Sequence, residues 1–377
     1  MNAFVPYFVF AIVAAGGQGP PQTTQPQPQN QQPVHSEFSA AEVSKLQASA
    51  ERGDAPSQFK LGRAYEYGDG VPKSNELAVK WYRRAADQGN SNAETTLGVM
   101  YRLGLGVSRD KEEAVRWYQK AAKQGNAQAM FNLGISYYNG DGVPSNPTLA
   151  YAWFLLAQDA GSPAADDAVK RSAEEGGRMG TPEALLQVAA MYEKGNELPQ
   201  SYADAAKWYR KAADLSPLAQ FNLASMLIDG KGVPQDYGQA MTLCRDAAKQ
   251  NFAPAQFCIG FLYKHGLGIP ADPKEAVKWY ERANRYVPSM MALAEMYWKA
   301  DGVKMDRSEA YYYLFLASRK GATGARAQAQ TLWKEMSKDD LKHLEKKLRD
   351  LHYDPQKVFA SMQGPAASDT GQESTIP

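Results

Sequence analysis

Residues 61–90 read LGRAYEYGDGVPKSNELAVKWYRRAADQGN, and residues 97–126 read LGVMYRLGLGVSRDKEEAVRWYQKAAKQGN. Both stretches carry Leu-Gly, Tyr, Gly-x-Gly-Val, Ala, Trp-Tyr and Ala-Ala at the same offsets. Internal similarity at a fixed spacing is typical of repeat architectures, in which each repeat is one supersecondary unit. The two stretches therefore indicate that the chain is built from copies of one unit.

The glycine that follows the Tyr-rich stretch marks each copy of the unit. Successive markers are 34 to 36 residues apart, except for one interval of 55 residues. A single helix pair cannot bury its apolar face, whereas stacked pairs bury a continuous core, so the copies predict one elongated stack. The markers are Gly68, Gly104, Gly140, Gly195, Gly230 and Gly266, with Ala300 in the seventh place.

Each unit is predicted to contain two helices. In the second helix, Ala78, Trp81, Tyr82 and Ala85 are spaced to share one apolar face. In the first helix, Gly62 or another small residue recurs, which indicates close approach of a neighbouring helix because glycine in a helix costs about 1 kcal/mol. Each second helix is expected to begin at a side chain that accepts from free backbone N–H groups. These N-cap residues are Ser74, Asp110, Asn146, Ser201, Asp236, Asp272 and Asp306.

Three stretches, AQAMFNLGISYYNGDGVP (127–144), GLGVSRDKEEAVRWYQKAAKQGN (104–126) and GLGIPADPKEAVKWYERA (266–283), resemble the Sel-1-like repeat family. That family is an all-α relative of the tetratricopeptide repeats, and the resemblance covers residues 38–337. It implies a right-handed α-solenoid of about seven helix-turn-helix repeats of ~36 residues, with capping helices. The departures are local: Glu197 replaces the second glycine of repeat four, Leu243 and Cys244 replace Trp-Tyr in repeat five, and Ala300 replaces a marker.

The chain divides into five predicted segments. Residues 1–17 contain an uncharged apolar stretch suited to a secretory signal, although no Lys or Arg precedes it. Residues 18–37 are rich in Pro and Gln and predict a disordered linker. A first array with a closing helix is expected over residues 38–180, and a second array with C-terminal capping helices over residues 181–352. Residues 353–377 are predicted to form a flexible tail.

The N-terminal pattern favours export, to the periplasm or out of the cell, through an atypical signal. A cytoplasmic protein with an apolar N-terminal tail is the alternative. The apolar stretch is too short to span a membrane, which takes ~20 residues, so no integral membrane span is expected. A formal net charge of +1 gives no attraction to nucleic acid, and the expected partner is a protein or peptide.

No catalytic, cofactor-binding or metal-binding residue is predicted. The four histidines share no ligand spacing, and the sequence lacks the common nucleophile, metalloprotease and phosphate-loop motifs. Residues 57–60 match the Ser-x-x-Lys pattern of penicillin-recognising enzymes, but its partner motifs are missing. Cys244 and Cys258 are nearly equidistant from the turn between two predicted antiparallel helices. A disulfide between them needs Cα atoms within ~7 Å and facing Cβ atoms, and both redox states stay open.

The candidate binding residues lie on the first helices. In tetratricopeptide-like stacks this helix faces the concave groove, where aromatic side chains interleaved with charges suit peptide recognition. The alternative is that the phenylalanines pack between neighbouring units as core, which is also the expectation for the recurring tryptophans. The groove candidates are Phe59, Arg63, Glu66, Arg102, Phe131, Tyr138, Phe221, Phe257, Phe261, Lys264, Glu295 and Trp298.

The leading hypothesis for function is a non-catalytic scaffold that binds a protein or peptide in the groove. The resemblance also implies an alternative, because a cysteine-rich secreted branch of the family is associated with binding or hydrolysis of β-lactams and peptidoglycan fragments. That branch carries a cysteine pair in nearly every repeat, whereas this chain has two cysteines, which argues against it. A cytosolic regulatory adaptor is the third hypothesis.

Overall fold

The computed structural model describes residues 38–363, which form eighteen α-helices and contain no β-strand. The helices follow one another as antiparallel pairs, and each packs mainly on its neighbours along the chain. The predicted all-α solenoid of helical repeats is confirmed for this part of the chain. The predicted signal segment (1–17) and linker (18–37) lie outside the described residues, as do residues 364–377.

The helices fall into three groups. The first helices of six units are α2 (Ala55–Tyr67), α4 (Ser91–Leu103), α6 (Ala127–Asn139), α10 (Pro217–Asp229), α12 (Ala253–His265) and α14 (Val287–Lys299). The second helices are α3 (Asn75–Asp87), α5 (Lys111–Ala122), α7 (Pro147–Asp159), α9 (Tyr202–Ala212), α11 (Tyr237–Ala248), α13 (Pro273–Arg282) and α15 (Arg307–Arg319). The others are α1 (Ala40–Glu51), α8 (Ala165–Lys194), α16 (Ala325–Glu335), α17 (Lys338–Asp350) and α18 (Pro355–Gln363).

The helix ends lie where the sequence predicts them. All seven predicted N-cap side chains accept a hydrogen bond from a backbone N–H in the first turn of the following helix. The seven markers end the first helices in the left-handed conformation, Ala300 included, with a φ of 59°. Seven repeated start and stop signals therefore set the helix pairs.

The two helices of a unit approach each other closely at the small residue of the first helix. A Cβ atom added at Gly62 would lie 2.7 Å from the ring of Tyr82, and one at Gly134 would lie 2.4 Å from the ring of Phe154. Distances this short do not occur in folded proteins, so the aromatic ring of the second helix requires a glycine beneath it. The prediction that the small residue marks a close helix contact is confirmed.

In every unit except repeat four, which carries Glu197, a second glycine lies against the segment that precedes the unit. Gly106 and Gly142 have positive φ, and an added Cβ would lie 2.4 Å and 2.2 Å from the backbone of Asn75 and Lys111. These backbone atoms begin the second helix of the preceding unit. The loop between the two helices of a unit thus rests on the previous unit's main chain.

Helix α8 differs from the sequence prediction. A closing helix over the end of residues 38–180 and a separate first helix of repeat four were expected, but α8 is continuous over 30 residues and crosses that boundary. Gly180 is helical, so it does not supply a left-handed turn like those at Gly89 and Gly125, which precede the first helices of repeats two and three. Pro182 lies inside the helix. One core cluster also continues across the boundary, through Ala165 and Val188 of α8.

The C-terminal segment corrects another expectation. Residues 355–363 of the predicted flexible tail form helix α18, in which Val358 and Met362 are buried. The ring centroid of Phe359 lies 4.9 Å from that of Trp333 on α16. This apolar contact holds the segment on the last unit, together with α17, whose buried Leu344 faces the same cluster.

Replacing Ala300 by glycine should stabilise the array by about 0.5–1 kcal/mol. The left-handed conformation costs an L-residue roughly 1–2 kcal/mol, and the added freedom of glycine in the unfolded chain offsets part of the gain. Chemical denaturation followed by circular dichroism measures the change.

The matched control is Gly230→Ala. Gly230 has a φ of 67°, and its added Cβ would meet its nearest neighbour at an ordinary 3.5 Å. The control should therefore lose a similar free energy of unfolding through backbone conformation alone. A destabilised Ala300→Gly variant would contradict this account of the marker position.

Candidate protein-binding surface

Of the five phenylalanines predicted to line a groove, all but Phe261 occupy the same repeat position and are called here the phenylalanine row. Three of the four residues in this row pack on a ring from the second helix of their own unit. Phe131 is 8% exposed and belongs to the core, whereas Phe59, Phe221 and Phe257 are half-buried. The ring centroids lie 5.6 Å apart for Phe59–Tyr82, 5.6 Å for Phe131–Phe154 and 5.4 Å for Phe257–Tyr280. Three members of the row thus contribute to packing and still reach the surface.

Repeats six and seven bring predicted site residues together. On α12, the ring centroids of Phe257 and Phe261 lie 6.5 Å apart, and Phe261 lies 4.5 Å from the ring of His265. Lys264 on the same helix bonds to Glu295 of α14 at 3.0 Å. Phe257, Phe261, Lys264 and Glu295 therefore form one continuous patch, called here the first-helix surface.

The acidic end of this surface is fixed by its neighbours. Hydrogen bonds from Lys299 and Lys264 lower the pKa of Glu295 below its usual value, so this carboxylate stays ionised. Next to it, the indole Nε1 of Trp298 donates to Glu335 of α16 at 2.7 Å. The predicted site residues of repeat seven are thus held by side-chain hydrogen bonds.

The remaining predicted residues are spread over the first three units. Glu66 accepts a hydrogen bond from the Tyr82 hydroxyl, and burial together with the Glu66 charge raises the pKa of that tyrosine. Burial also raises the pKa of Tyr118 to about 12, although the nearby Arg102 opposes the shift. Tyr138 is 47% exposed. Arg63, Arg102 and Tyr138 lie on the first helices α2, α4 and α6 respectively.

The sequence reading missed a row of cations stacked on the tryptophans of the second helices. Four units place a Lys or Arg three residues after the Trp, which is visible in the sequence as Trp-Tyr-x-Arg or Trp-Tyr-x-Lys. The cation lies over the indole face, where the electron-rich ring attracts the positive charge. The distances to the ring centroid are 4.8 Å for Arg84, 4.9 Å for Lys120, 3.8 Å for Lys211 and 4.3 Å for Arg282.

Three further observations concern metal ligands, membrane spans and the Ser-x-x-Lys match. Among the side chains that the structure describes, which are those of residues 38–174 and 180–363, His, Cys, Asp and Glu nowhere form a group of three that suits a metal ion. In the same range, helices that are both long and apolar enough to cross a bilayer do not occur. The Ser-x-x-Lys match lies in the first turn of α2, where the Ser57 N–H donates to its cap Asp54 and Lys60 is exposed.

Cys244 and Cys258 are joined as a disulfide between α11 and α12, with their Cα atoms 6.3 Å apart. Both side chains are buried in the central core cluster. Cys244 occupies the position that carries Tyr82 in repeat one. The disulfide links the two helices of adjacent units covalently in repeats five and six.

The comparisons with known proteins agree with the repeat pattern. The family model described as Sel1 repeat matches residues 55–90, 91–126, 127–162, 182–216, 217–252, 253–285 and 287–321. A solved protective antigen of uropathogenic Escherichia coli strains, displaying an SLR fold, is 31% identical, covering 85% of this chain and 72% of the antigen, with a TM-score of 0.41. A Sel1 repeat protein from Oxalobacter formigenes is 28% identical over 65% of this chain and 90% of its own, with a TM-score of 0.31.

A curated relative extends the comparison to a eukaryote. Chitin synthase regulatory factor 3 of Schizosaccharomyces pombe is 34% identical to this chain over 79 residues. The match includes 20% of this chain and 8% of that relative. The chain therefore spans less than a tenth of the length of the curated relative.

Purified protein, denatured without reductant, should show no free thiol. Reduction should lower the thermal midpoint, because a bond between cysteines 14 residues apart is worth about 3 kcal/mol in the chain-entropy description. Thiol titration and calorimetry with and without reductant measure both effects. The control is the double variant Cys244→Ala/Cys258→Ala, whose midpoint should not respond to reductant, and two free thiols in the wild-type protein would contradict the bond.

Phe131→Ala should cost about 3–5 kcal/mol of unfolding free energy, because it removes a buried ring from the core. Phe221→Ala, at a half-buried position of the same row, should cost clearly less. Denaturant titration of both variants checks the order. Equal losses would mean that the whole row is core and that Phe221 contributes nothing to an exposed surface.

Proposed function

We propose, from the premise that this chain belongs to the Sel1 repeat family, that it is a non-catalytic scaffold which binds a protein or peptide on its first helices. The observation that carries the proposal is the first-helix surface of repeats six and seven. It combines two adjacent phenylalanines with the Lys264–Glu295 pair, which spans two units. Aromatic anchors surrounded by charged groups are the usual composition of a protein-binding surface.

The repeat architecture supports this choice of function. A stack of helix pairs presents the same helix face unit after unit, which gives an extended surface suited to another chain. One curated relative is named a chitin synthase regulatory factor, and a regulatory role by contact with another protein is compatible with such a surface.

We also infer that the protein is exported. The apolar stretch at its N-terminal end and the bond between Cys244 and Cys258 support this location, since disulfides persist chiefly in oxidising compartments. N-terminal sequencing of the protein isolated from its native host tests the inference. Removal of the apolar stretch would support export, whereas an intact N-terminus on cytoplasmic protein would favour the cytosolic adaptor.

Phe261→Ala should reduce partner capture at least tenfold with little change in thermal midpoint, because the ring is half-buried and its loss removes an anchor worth ~2 kcal/mol. The full chain is immobilised, exposed to the envelope fraction of its native host, and the retained proteins are identified by mass spectrometry. Affinity for each retained protein is then measured with purified components.

The matched control for this experiment is Leu77→Ala, which truncates a side chain 39% exposed on the second helix α3. Capture that survives Phe261→Ala and fails with Leu77→Ala would place the binding surface on the second helices. Hydrolysis of a chromogenic β-lactam by the wild-type protein would contradict the non-catalytic assignment.

A further inference from the structure

An open cleft lies between repeats five and six, on the side of the cation-stacked tryptophans. Its volume is about 590 Å³. The end of α11, the start of α12 and the helix α13 form its walls. Its lining residues are Arg245, Ala248, Lys249, Asn251, Gln256, Trp279 and Arg282.

The cleft carries an excess of positive charge. Of its three cations, Lys249 pairs with Asp246 at 2.6 Å, at the exposed rim. Arg245 donates to the Tyr263 hydroxyl at 3.3 Å, and Arg282 lies over the ring of Trp279 at 4.3 Å. Among the residues of 38–363, neither arginine has a carboxylate within ion-pair distance, so both can take an anion.

The floor of the cleft holds a polar group without a partner. Gln256 is only 7% exposed, and its side-chain amide makes no hydrogen bond to any other described residue. Its amide atoms are not sealed off from solvent but reach the open cleft. Since the side chain lines the cleft, a ligand there can supply the missing hydrogen bonds.

The junction of repeats one and two shows what fills the equivalent place elsewhere in the chain. There the residue matching Gln256 is Glu94. Its carboxylate forms an ion pair with the Lys120 ammonium at 3.1 Å and accepts a hydrogen bond from the side-chain amide of Gln124 at 2.6 Å. Lys120 also donates to the Ala86 carbonyl at 3.1 Å. A carboxylate and a bridging lysine thus close the earlier junction from within.

Repeat six lacks that internal carboxylate. Gln256 stands in the place of Glu94, and Arg282 stands in the place of Lys120. Ala248, which corresponds to Ala86, lines the open cleft. The exchange of a carboxylate for an amide leaves the cation of this junction without its anion.

The start of α12 adds to the positive potential. In most other first helices the N-cap is a side chain that accepts from the first turn, as Asn90 and Asn126 do. At α12 the N-cap is Phe252, which offers no acceptor, so the positive end of the helix dipole is not neutralised there. This helix end lies between Asn251 and Gln256, both of which line the cleft.

We propose that this cleft is a second binding site, which takes an acidic side chain of a peptide with a neighbouring apolar group. Arginine forks bind carboxylates in two-point geometry, and the Gln256 amide can donate to the same group. The parts of Trp279 and Ala248 that line the cleft can contact the apolar neighbour. The choice of a peptide as ligand rests on the proposed function, whereas the cationic cleft does not. The site is separate from the first-helix surface.

The test uses the full oxidised chain and a capped peptide of alternating Glu and Leu, with a Gln–Leu peptide of equal length as control ligand. Titration calorimetry should show saturable binding of the Glu peptide that weakens with salt. Arg245→Gln/Arg282→Gln should weaken it by about tenfold or more, equivalent to about 1.4 kcal/mol. Arg84→Gln, which removes a cation stacked in the same way on Trp81, should leave affinity unchanged.

Gln256→Glu provides a variant that restores the arrangement of repeat two. It should abolish binding while the thermal midpoint is maintained, because the new carboxylate supplies the anion for Arg282. Phe261→Ala should bind the Glu peptide normally, so failure of the first-helix surface and failure of this site are separable. Equal binding of the Gln peptide, indifference to both cleft variants, or equal affinity for inorganic phosphate alone would overturn the proposal.

Discussion

The contact between an aromatic ring and a glycine beneath it, found in four of the seven helix pairs, is the constraint on which this array depends. Tyr118 over Gly98 and Tyr280 over Gly260 leave no space for a Cβ atom. Where Ala224 and Ala294 take the place of the glycine, the second helix carries Cys244 and Leu314 in place of the tyrosine. In repeat four, by contrast, Ala189 is paired with Tyr209, so a smaller residue on the second helix accompanies the alanine in two of these three units.

Much of the fold could be predicted because its determinants are local and repeated. An N-cap side chain, a left-handed marker residue and an apolar face recur along the array. The spacing of these signals identifies Ala300 as the residue that ends the first helix of repeat seven, although it is not a glycine. Helix α8 could not be predicted in this way, since a continuous helix and two helices joined by a turn share the same composition. Helix α18 was missed because its burial depends on Trp333, distant in sequence.

The candidate sites were less accessible to sequence reasoning than the fold. The pattern identified Phe261, Lys264 and Glu295 as residues of one helix face, and the structure adds that Lys264 reaches the next unit. The sequence pattern could not distinguish the buried Phe131 from the half-buried Phe221, because both occupy the same repeat position. The cleft at Gln256 exists where repeat six has an amide in place of the Glu94 carboxylate. The sequence shows this exchange, but only the structure shows that the carboxylate of Glu94 pairs with Lys120.

The uninterrupted helix α8 has a consequence for how the array comes apart. In a linear stack, fraying normally advances from either end and can pause at each turn between helices. Over residues 165–194 there is no such turn, and α8 contributes Ala165 and Val188 to one core. The segment after repeat three and the first helix of repeat four must therefore lose their structure in a single step. We expect the middle of the array to act as one cooperative block, flanked by ends that open and close more readily.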